Sequence, residues 1–192
     1  MGTAGTLLKS ARQAHGLTQS ALAQRAGTYQ PRIAQVEHGT HEPSAERLSN
    51  LLAATGQRLT ALPTTARPAV EVGADIAGHL ARQDFDRAFR EVIQLSDDLA
   101  RATRDVRVAL VVTPPASTGD RRFDALLAGV VEHHLRKGRL PIPGWLRQSW
   151  RSLELPWHVD DNPFTQDLSA KDSLPGPLRH GVVLAASELA SV

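Results

Sequence analysis

The chain has 192 residues, 41% of them hydrophobic, and a formal net charge of +2, which suits one medium-sized domain or two small ones. It contains no cysteine, and this excludes disulfides, thiolate metal sites and cysteine nucleophiles. No apolar run approaches the roughly 18 residues that a membrane span needs, and the N-terminus lacks the basic and apolar stretches of a secretory signal. We therefore expect a globular, cytoplasmic protein with no membrane partner.

Positive charge is concentrated near the N-terminus. Residues 1–62, which we call the head, contain six Lys/Arg and three Asp/Glu, whereas residues 63–192 contain 16 and 17. A basic head on a nearly neutral body is compatible with nucleic-acid contact by the head alone.

Four short helices are predicted in the head. They run from about Thr3 to Ala14, from Thr18 to Ala26, from Gln30 to His38, and from the cap Ser44 to a stop at Gly56. Pro31 fits only a first helical turn, and Gly39 suits the end of the third helix. Helices this short need to pack into one bundle, with these apolar side chains facing inward: Leu7, Leu8, Ala11, Leu22, Ala26, Ile33, Val36, Leu48, Leu51 and Leu52.

The stretch from residue 17 to residue 40 has the features of a helix-turn-helix. Ala23 is small where two helices would cross, and Gly27 suits the turn between them. Gln30, Arg32 and Gln35 lie on the outer face of the predicted second helix of the pair. Each could be an ordinary solvent-facing residue, but glutamine and arginine also make the bidentate contacts that distinguish adenine from guanine. Their ordered combination favours base readout in the major groove.

Residues 5–62 resemble the Xre (phage λ repressor-like) class of regulators. The resemblance rests on these residues: Arg12, Gly16-Leu17-Thr18-Gln19, Leu22-Ala23, Ala26-Gly27, Gln30 and Val36-Glu37-His38-Gly39. It implies that the helix from residue 30 to residue 38 enters the major groove and that Gln19 holds a phosphate. It also implies that Arg12 and Glu37 form a structural pair. Further phosphate contacts are expected from Thr28, Tyr29 and Thr40, although Tyr29 departs from the small residue usual at its position.

A short strand is predicted after the fourth helix. Polar and apolar residues alternate over residues 57–62, and an isolated strand needs a partner. The segment is similar to the strand that pairs with its twin in HipB-like antitoxins. The resemblance implies a homodimer held by Arg58, Leu59, Thr60, Ala61 and Leu62. Residues 63–70 are then predicted to be a linker.

Residues 71–192, which we call the lobe, are predicted to be mostly helical. A helical stripe runs from Phe85 to Leu99 behind the cap Asp84, and residues 106–112 fit a strand or a helix, with a helix favoured. A turn at residues 113–120 precedes another helix, whose inward side chains are Phe123, Leu126, Leu127, Val130 and His134 or Leu135. Beyond Gly138 the sequence is rich in proline and tryptophan and predicts loops and short helices, with a terminal strand near residues 181–184. The predicted fold class is therefore mostly α, with a helix-turn-helix head and a helical C-terminal domain.

The lobe offers few candidates for chemistry. Adjacent His133 and His134 point apart on a helix, so they do not share a metal. The cluster of residues 156–162 joins a histidine to carboxylates but has no second ligand motif at metal spacing. The three tryptophans, Trp145, Trp150 and Trp157, would form the core of the lobe or line a ligand pocket. We therefore expect no catalytic residue, no metal and no cofactor. Segments 122–127, 141–145 and 156–157 are similar to a lobe found in Xre-type regulators of high-GC bacteria. This resemblance indicates a shared organisation and says nothing about an activity.

These observations favour a sequence-specific repressor that binds a double-stranded operator with palindromic half-sites. It would be an autoregulating antitoxin whose lobe binds a cognate toxin. A ligand-sensing regulator with its effector pocket in the lobe is the alternative. The third hypothesis, an enzyme with a DNA-targeting head, would centre on His158, Asp160 and Asp161.

Overall fold

The computed structural model describes residues 3–160 and 171–189, and these are mostly helical, as predicted. The α-helices are α1 (Thr3–Ala14), α2 (Gln19–Arg25), α3 (Gln30–Glu37), α4 (Ala45–Ala53), α5 (Ala69–Leu80), α6 (Phe85–Arg101), α7 (Arg104–Val111), α8 (Arg121–Lys137) and α9 (Pro175–Arg179). Short 3-10 helices cover Gly144–Arg147, Ser149–Arg151 and Ala186–Leu189. None of the helices in the described ranges combines the length and apolarity needed to cross a bilayer.

The four predicted head helices form one small bundle. Thr18 caps α2 by accepting a hydrogen bond from the Ala21 amide at 3.0 Å, and Ser44 caps α4 in the same way. Gly39 ends α3 with a φ of +74°, a backbone conformation that costs a glycine little. One buried cluster forms the head core: Ala4, Leu8, Ala11, Leu22, Ala23, Ile33, Val36, Leu48, Leu51 and Leu52. Ala26 is partly buried against it.

Helix α1 has a second buried face, which the apolar pattern did not predict. Thr6 and Ser10 are buried although both are polar, whereas Leu7, expected inside, is only half-buried. Thr6 and Ser10 lie with Gly73 of α5 along a small seam of about 110 Å³, and α1 packs against α5. The first helix of the head therefore contacts the lobe directly.

The connection between head and lobe differs from the prediction at both ends. Residues 57–62 have no regular secondary structure in the single chain. Pairing with a second copy stays a prediction, because one chain supplies only half of such a ladder. Helix α5 begins at Ala69, inside the predicted linker, because Ala69 and Val70 are buried.

The lobe is built around α8. Its N-cap Asp120 accepts a hydrogen bond from the Arg122 amide at 2.8 Å, and Asp84 caps α6 through the Arg87 amide at 3.2 Å. Helix α6 packs against both α5 and α8, and α9 packs closely on α8. The ambiguous segment at residues 106–112 is helical, as favoured, with Val111 fully buried. The predicted inward side chains of α8, including both His134 and Leu135, are buried.

A two-stranded parallel sheet closes the lobe. Strand β1 is Trp157–His158 and strand β2 is Val182–Val183, with Trp157 opposite Val182 and His158 opposite Val183. The terminal strand is thus present near its predicted position but shorter, and the sequence pattern did not predict its partner. The Val159 amide extends the pairing with a hydrogen bond to the Val183 carbonyl at 3.1 Å.

Candidate nucleic-acid interface

Helices α2 and α3 are joined by a tight turn at Gly27. Gly27 has a φ of +59°, and the next amide, that of Thr28, donates to the Ala23 carbonyl at 2.9 Å. Pro31 lies in the first turn of α3, where its missing N–H costs no hydrogen bond. Ala23 and Ile33 are buried, so the two helices cross closely as the small residue at position 23 predicts.

The outer face of α3 is polar and open to solvent. Ile33 and Val36 are buried, whereas Gln30, Arg32 and Gln35 are all exposed. Side chains of these types present donors and acceptors that match base edges in the major groove. The structure thus places all three predicted base-reading side chains where DNA can reach them.

A hydrogen-bond chain ties the exposed face to α1. Nε and Nη2 of Arg12 donate to the two carboxylate oxygens of Glu37 at 2.6 and 2.9 Å, and Nη1 of Arg12 donates to the Leu17 carbonyl at 2.7 Å. Glu37 Oε2 also accepts from Gln19 Nε2 at 2.9 Å, and Gln19 Oε1 accepts from Gln30 Nε2 at 2.7 Å. The predicted Arg12–Glu37 pair is present, and it continues to a base-reading candidate through Gln19.

Electrostatics keep the Arg12 guanidinium charged. The hydrogen bonds to Glu37 raise the pKa of Arg12, against the opposing effect of burial. The guanidinium is therefore always charged, and its fork of donors matches the carboxylate in a bidentate geometry. Glu37 is only 2% exposed, so each charge depends on the other for compensation.

The other phosphate-contact candidates differ in whether their hydroxyl groups are available to donate a hydrogen bond to a phosphate. The Tyr29 side chain is 81% exposed and makes no capping hydrogen bond to α3, so its hydroxyl is accessible. Thr28 is half-buried at the turn. Thr40 already donates its hydroxyl hydrogen to the Gln35 carbonyl at 3.1 Å, so a phosphate would have to replace that bond. Phosphate contact by these residues stays a prediction.

Most of the positive charge on the head is not neutralised by ion pairs among the described residues. Arg12 is in an ion pair, and none of the other Lys/Arg side chains in residues 3–62 forms one. Cations without internal partners can release counterions from a phosphate backbone. The head therefore combines a polar, exposed α3 with the Arg12–Glu37 ion pair behind it and with positive charge that has no described ion-pair partner.

Residues 8–62 match the helix-turn-helix family. The Xre-type resemblance is confirmed over these residues, and the match supports a DNA-binding transcriptional regulator. No curated protein and no solved structure matches the chain. Residues 63–192 lie outside the matched helix-turn-helix region.

The helix-turn-helix head ends in an exposed segment. Residues 58–62 are exposed, and the side chains of Leu59 and Leu62 are 42% and 37% exposed. The two leucines offer exposed apolar surface, and the Leu62 carbonyl accepts a hydrogen bond from the Thr64 amide at 2.8 Å. The segment also has backbone groups outside any regular secondary structure. These are the groups that a second copy would need for strand pairing.

The three tryptophans of the lobe lie in two different environments. Trp145 is buried and donates Nε1–H to the Val111 carbonyl at 2.9 Å, so it belongs to the lobe core. The buried Arg151 guanidinium lies over the rings of both Trp145 and Trp150, at 4.5 and 4.0 Å from their centroids. Trp157 instead packs against Phe123, with ring centroids 6.0 Å apart.

A buried histidine cluster in the lobe has no counterpart in the sequence motifs. His180 Nε2 lies 2.8 Å from Glu132 Oε2, and its Nδ1 lies 2.7 Å from the Arg151 carbonyl oxygen and 3.3 Å from Ser152 Oγ. Since a carbonyl oxygen and a carboxylate only accept, Nδ1 donates to the Arg151 carbonyl and Nε2 donates to Glu132, and Nδ1 is therefore not a base for the Ser152 hydroxyl. Burial opposes ionisation of Glu132, but the hydrogen bonds from Arg136 and His180 outweigh it and lower the pKa of Glu132. These hydrogen bonds connect the segments around Arg151 and His180 to Glu132 of α8.

The cluster suggested for the enzyme hypothesis is only partly visible. His158 lies in β1 opposite Val183, Asp160 follows it, and Asp161 falls outside the described residues. Within residues 3–160 and 171–189, no group of three His, Cys, Asp or Glu side chains could hold a metal ion. The absence of catalysis stays a prediction.

His134 makes the stability of the lobe sensitive to acid. Burial lowers the pKa of His134 to about 4, and nearby His133 and Arg107 act in the same direction, while Ser96 Oγ lies 2.9 Å from its Nε2. The unfolded chain takes up this proton near pH 6.5 and the folded chain only near 4. The free energy of unfolding therefore decreases as the pH falls through that window, and the total loss approaches about 3 kcal/mol.

His134→Gln is accordingly expected to flatten the pH dependence of urea unfolding between pH 7 and pH 4.5. His15→Gln, at an exposed position in the head, provides the control and is expected to follow wild type. Parallel curves for wild type and His134→Gln would contradict the assignment.

Proposed function

We propose that this protein is a homodimeric, sequence-specific repressor that binds a palindromic operator in the bacterial cytoplasm. The single observation that carries this proposal is the exposed Gln30–Arg32–Gln35 face of α3, held in place through Glu37 and Arg12. A rigid recognition helix loses little conformational freedom on binding, so its side chains contribute more of their contact energy to specificity. A two-fold dimer would read two half-sites about one helical turn, roughly 34 Å, apart.

Arg32→Ala is expected to weaken operator binding by about 1–3 kcal/mol and to relax the preference at one base position. Lys9→Ala removes the same charge at the seam with α5, away from the reading face, and should leave the preference intact. Binding to an operator library, selected at fixed salt, measures both effects. An unchanged footprint and base preference in Arg32→Ala would overturn the assignment of the reading face.

Gln19 is expected to act in two ways. Its loss would remove a proposed phosphate contact, which weakens binding to all sequences alike. Because Gln19 Oε1 also accepts a hydrogen bond from Gln30, its loss would in addition free a base-reading side chain. The sequence pattern suggested only the first effect.

Dimerisation through residues 57–62 is supported by the exposure of residues 58–62, which include two leucines. Thr60→Pro removes a ladder donor and is expected to yield monomers, since proline is not accommodated within a paired strand. Thr65→Pro, at another exposed threonine outside the segment, is the control and should remain dimeric. Sedimentation of the full chain distinguishes these outcomes, and a dimeric Thr60→Pro protein would contradict this interface.

The antitoxin role is the finer part of the proposal. It is supported by the position of the exposed segment directly after the helix-turn-helix match and by a lobe large enough to hold its own core. An antitoxin would bind its toxin through the lobe and repress the operon that encodes both. Co-purification of the product of the adjacent gene with the lobe, and its loss on deletion of residues 71–192, is the expected result. We propose that the lobe acts by binding and not by catalysis.

A ligand-sensing regulator is the second candidate, and one observation favours it. An open groove of about 660 Å³ lies in the lobe, within the usual range for small-molecule sites. Helix α6, which contributes to the groove, packs on α5, and α5 packs on α1 of the head. A ligand in the groove could thus bias the head through two helix contacts. Release of the operator by a small molecule would distinguish this candidate from the first.

A further inference from the structure

The groove in the lobe has an aromatic wall. It is lined by the rings of Phe85, Phe89, Phe123 and Trp157, drawn from the start of α6, the start of α8 and β1. Phe85 is 48% exposed, although a phenylalanine ring gains about 1.5–3 kcal/mol by full burial. Phe123, which is only 4% exposed, packs against Trp157 at an interplanar angle of 43°. The exposed apolar area of the wall is that of Phe85, with Phe89 and Trp157 half-buried.

The rim of the groove is predominantly acidic. Asp86, Asp160 and Glu188 line it beside one cation, Arg122. Arg122 forms an ion pair with Asp120, which does not line the groove, at 2.8 Å and lies 5.6 Å from the centre of the Trp157 ring. Among the described lining residues, three carboxylates therefore stand beside one guanidinium.

The environment of Glu188 contains charges of both signs. Burial raises the pKa of Glu188 and the neighbouring Asp160 carboxylate raises it further, whereas a hydrogen bond from the Ala185 backbone and the nearby His158 lower it, and the net shift is upward. A positive charge bound close to Glu188 and Asp160 would relieve both the desolvation and the repulsion. Aromatic faces attract cations as well, by about 0.5–2 kcal/mol each.

We propose that this groove binds a lipophilic organic cation, whose apolar body packs on the aromatic wall and whose charge faces Asp86 and Glu188. Aromatic rings favour a cation only modestly, so the acidic rim supplies most of the selectivity. The inference deepens the second candidate function by naming the class of its ligand. Binding itself does not depend on DNA.

Tetraphenylphosphonium and tetraphenylborate test the proposal, because the two ions have nearly the same shape and opposite charge. Each is titrated into the full chain without DNA, and heat and tryptophan fluorescence are followed. We expect saturable binding of the phosphonium with quenching of Trp157, and binding of the borate weaker by about tenfold or more. Equal affinity for the two ions, or no binding of the phosphonium, overturns the proposal.

Matched variants locate the site. Asp86→Asn and Glu188→Gln keep the side-chain shapes and hydrogen-bonding oxygens, and together they should weaken phosphonium binding by about tenfold. Glu154→Gln, an exposed acid outside the groove, should leave the affinity unchanged. Asp86 makes no described hydrogen bond, so its variant reports on binding even if Glu188→Gln impairs folding. Affinity that survives Asp86→Asn and Glu188→Gln overturns the assignment.

A separate experiment measures whether a ligand in the groove changes operator binding. Operator binding is repeated with saturating tetraphenylphosphonium, using wild type and Asp86→Asn. If the phosphonium binds the groove but leaves operator affinity unchanged, the ligand-sensing function is overturned while the binding site stands. If the protein binds no operator at all, the repressor proposal fails and the result of the DNA-free titration is unaffected.

Discussion

Glu37→Ala is expected to lower the free energy of unfolding of the helix-turn-helix head by about 3–5 kcal/mol, because it leaves the Arg12 guanidinium in a largely buried place without its partner. The side chains of Arg12 and Glu37 are only 11% and 3% exposed, so water replaces the lost carboxylate poorly. Gln19 loses its acceptor at the same time. Thermal unfolding followed by circular dichroism, together with hydrogen exchange of the α3 amides, measures the effect.

Two further variants separate a buried charge from a general loss of packing. Glu42→Ala removes an exposed carboxylate of the head and should change stability by less than about 0.5 kcal/mol. Replacing both Arg12 and Glu37 by methionine removes the unpaired charge and should recover part of the stability. It should not recover operator binding, since Gln19 and Gln30 remain without their anchor. A Glu37→Ala protein as stable as wild type would contradict the role of the pair.

Gly176→Ala is expected to destabilise the lobe by about 3 kcal/mol, at the upper end of the usual range for overpacking. A Cβ at position 176 would lie 2.4 Å from the Gly129 carbonyl oxygen and 2.5 Å from His133 Cβ. Both obstacles belong to the backbone or the base of a side chain on α8, so neither can swing aside. Helix α9 would have to move away from α8, and β2 follows α9 directly in the chain.

Gly144→Ala is the matched control, because a Cβ there would meet nothing within 4 Å. It should be neutral or slightly stabilising through the lower entropy of the unfolded chain. Urea unfolding followed by tryptophan fluorescence compares the two, since all three tryptophans lie in the lobe. Equal midpoints for Gly176→Ala and Gly144→Ala would show that α9 does not depend on this close approach.

The reading face of the candidate site could be predicted because its signals are local. Exposure of Gln30, Arg32 and Gln35 follows from the burial of Ile33 and Val36 at helical spacing on the other face of α3. The role of Gln19 could not be predicted fully. Its hydrogen bonds to Gln30 and Glu37 cross 11 and 18 positions, and no periodicity within one helix reports on them.

The aromatic groove of the lobe, too, could be predicted from the sequence only in part. Phe85, Phe89 and Phe123 were expected on helical stripes, and the stripes are present. That Phe85 stays exposed and lies near Trp157 and Glu188 depends on where α6, β1 and the last 3-10 helix meet. Phe85 is 72 positions from Trp157 and 103 positions from Glu188 in the chain, and only packing brings them together.

The sequence by itself determined the helices of the head, their caps and turns, and the helix-turn-helix class, because capping and side-chain periodicity act over four residues or fewer. Only the tertiary structure decided the second buried face of α1, where Thr6 and Ser10 meet α5. It also decided the glycine approach of α9 to α8 and the bond from His180 to Glu132 across 48 positions. These contacts depend on the relative placement of whole elements, which is set by the sum of many small packing energies and carries no local signal in the chain.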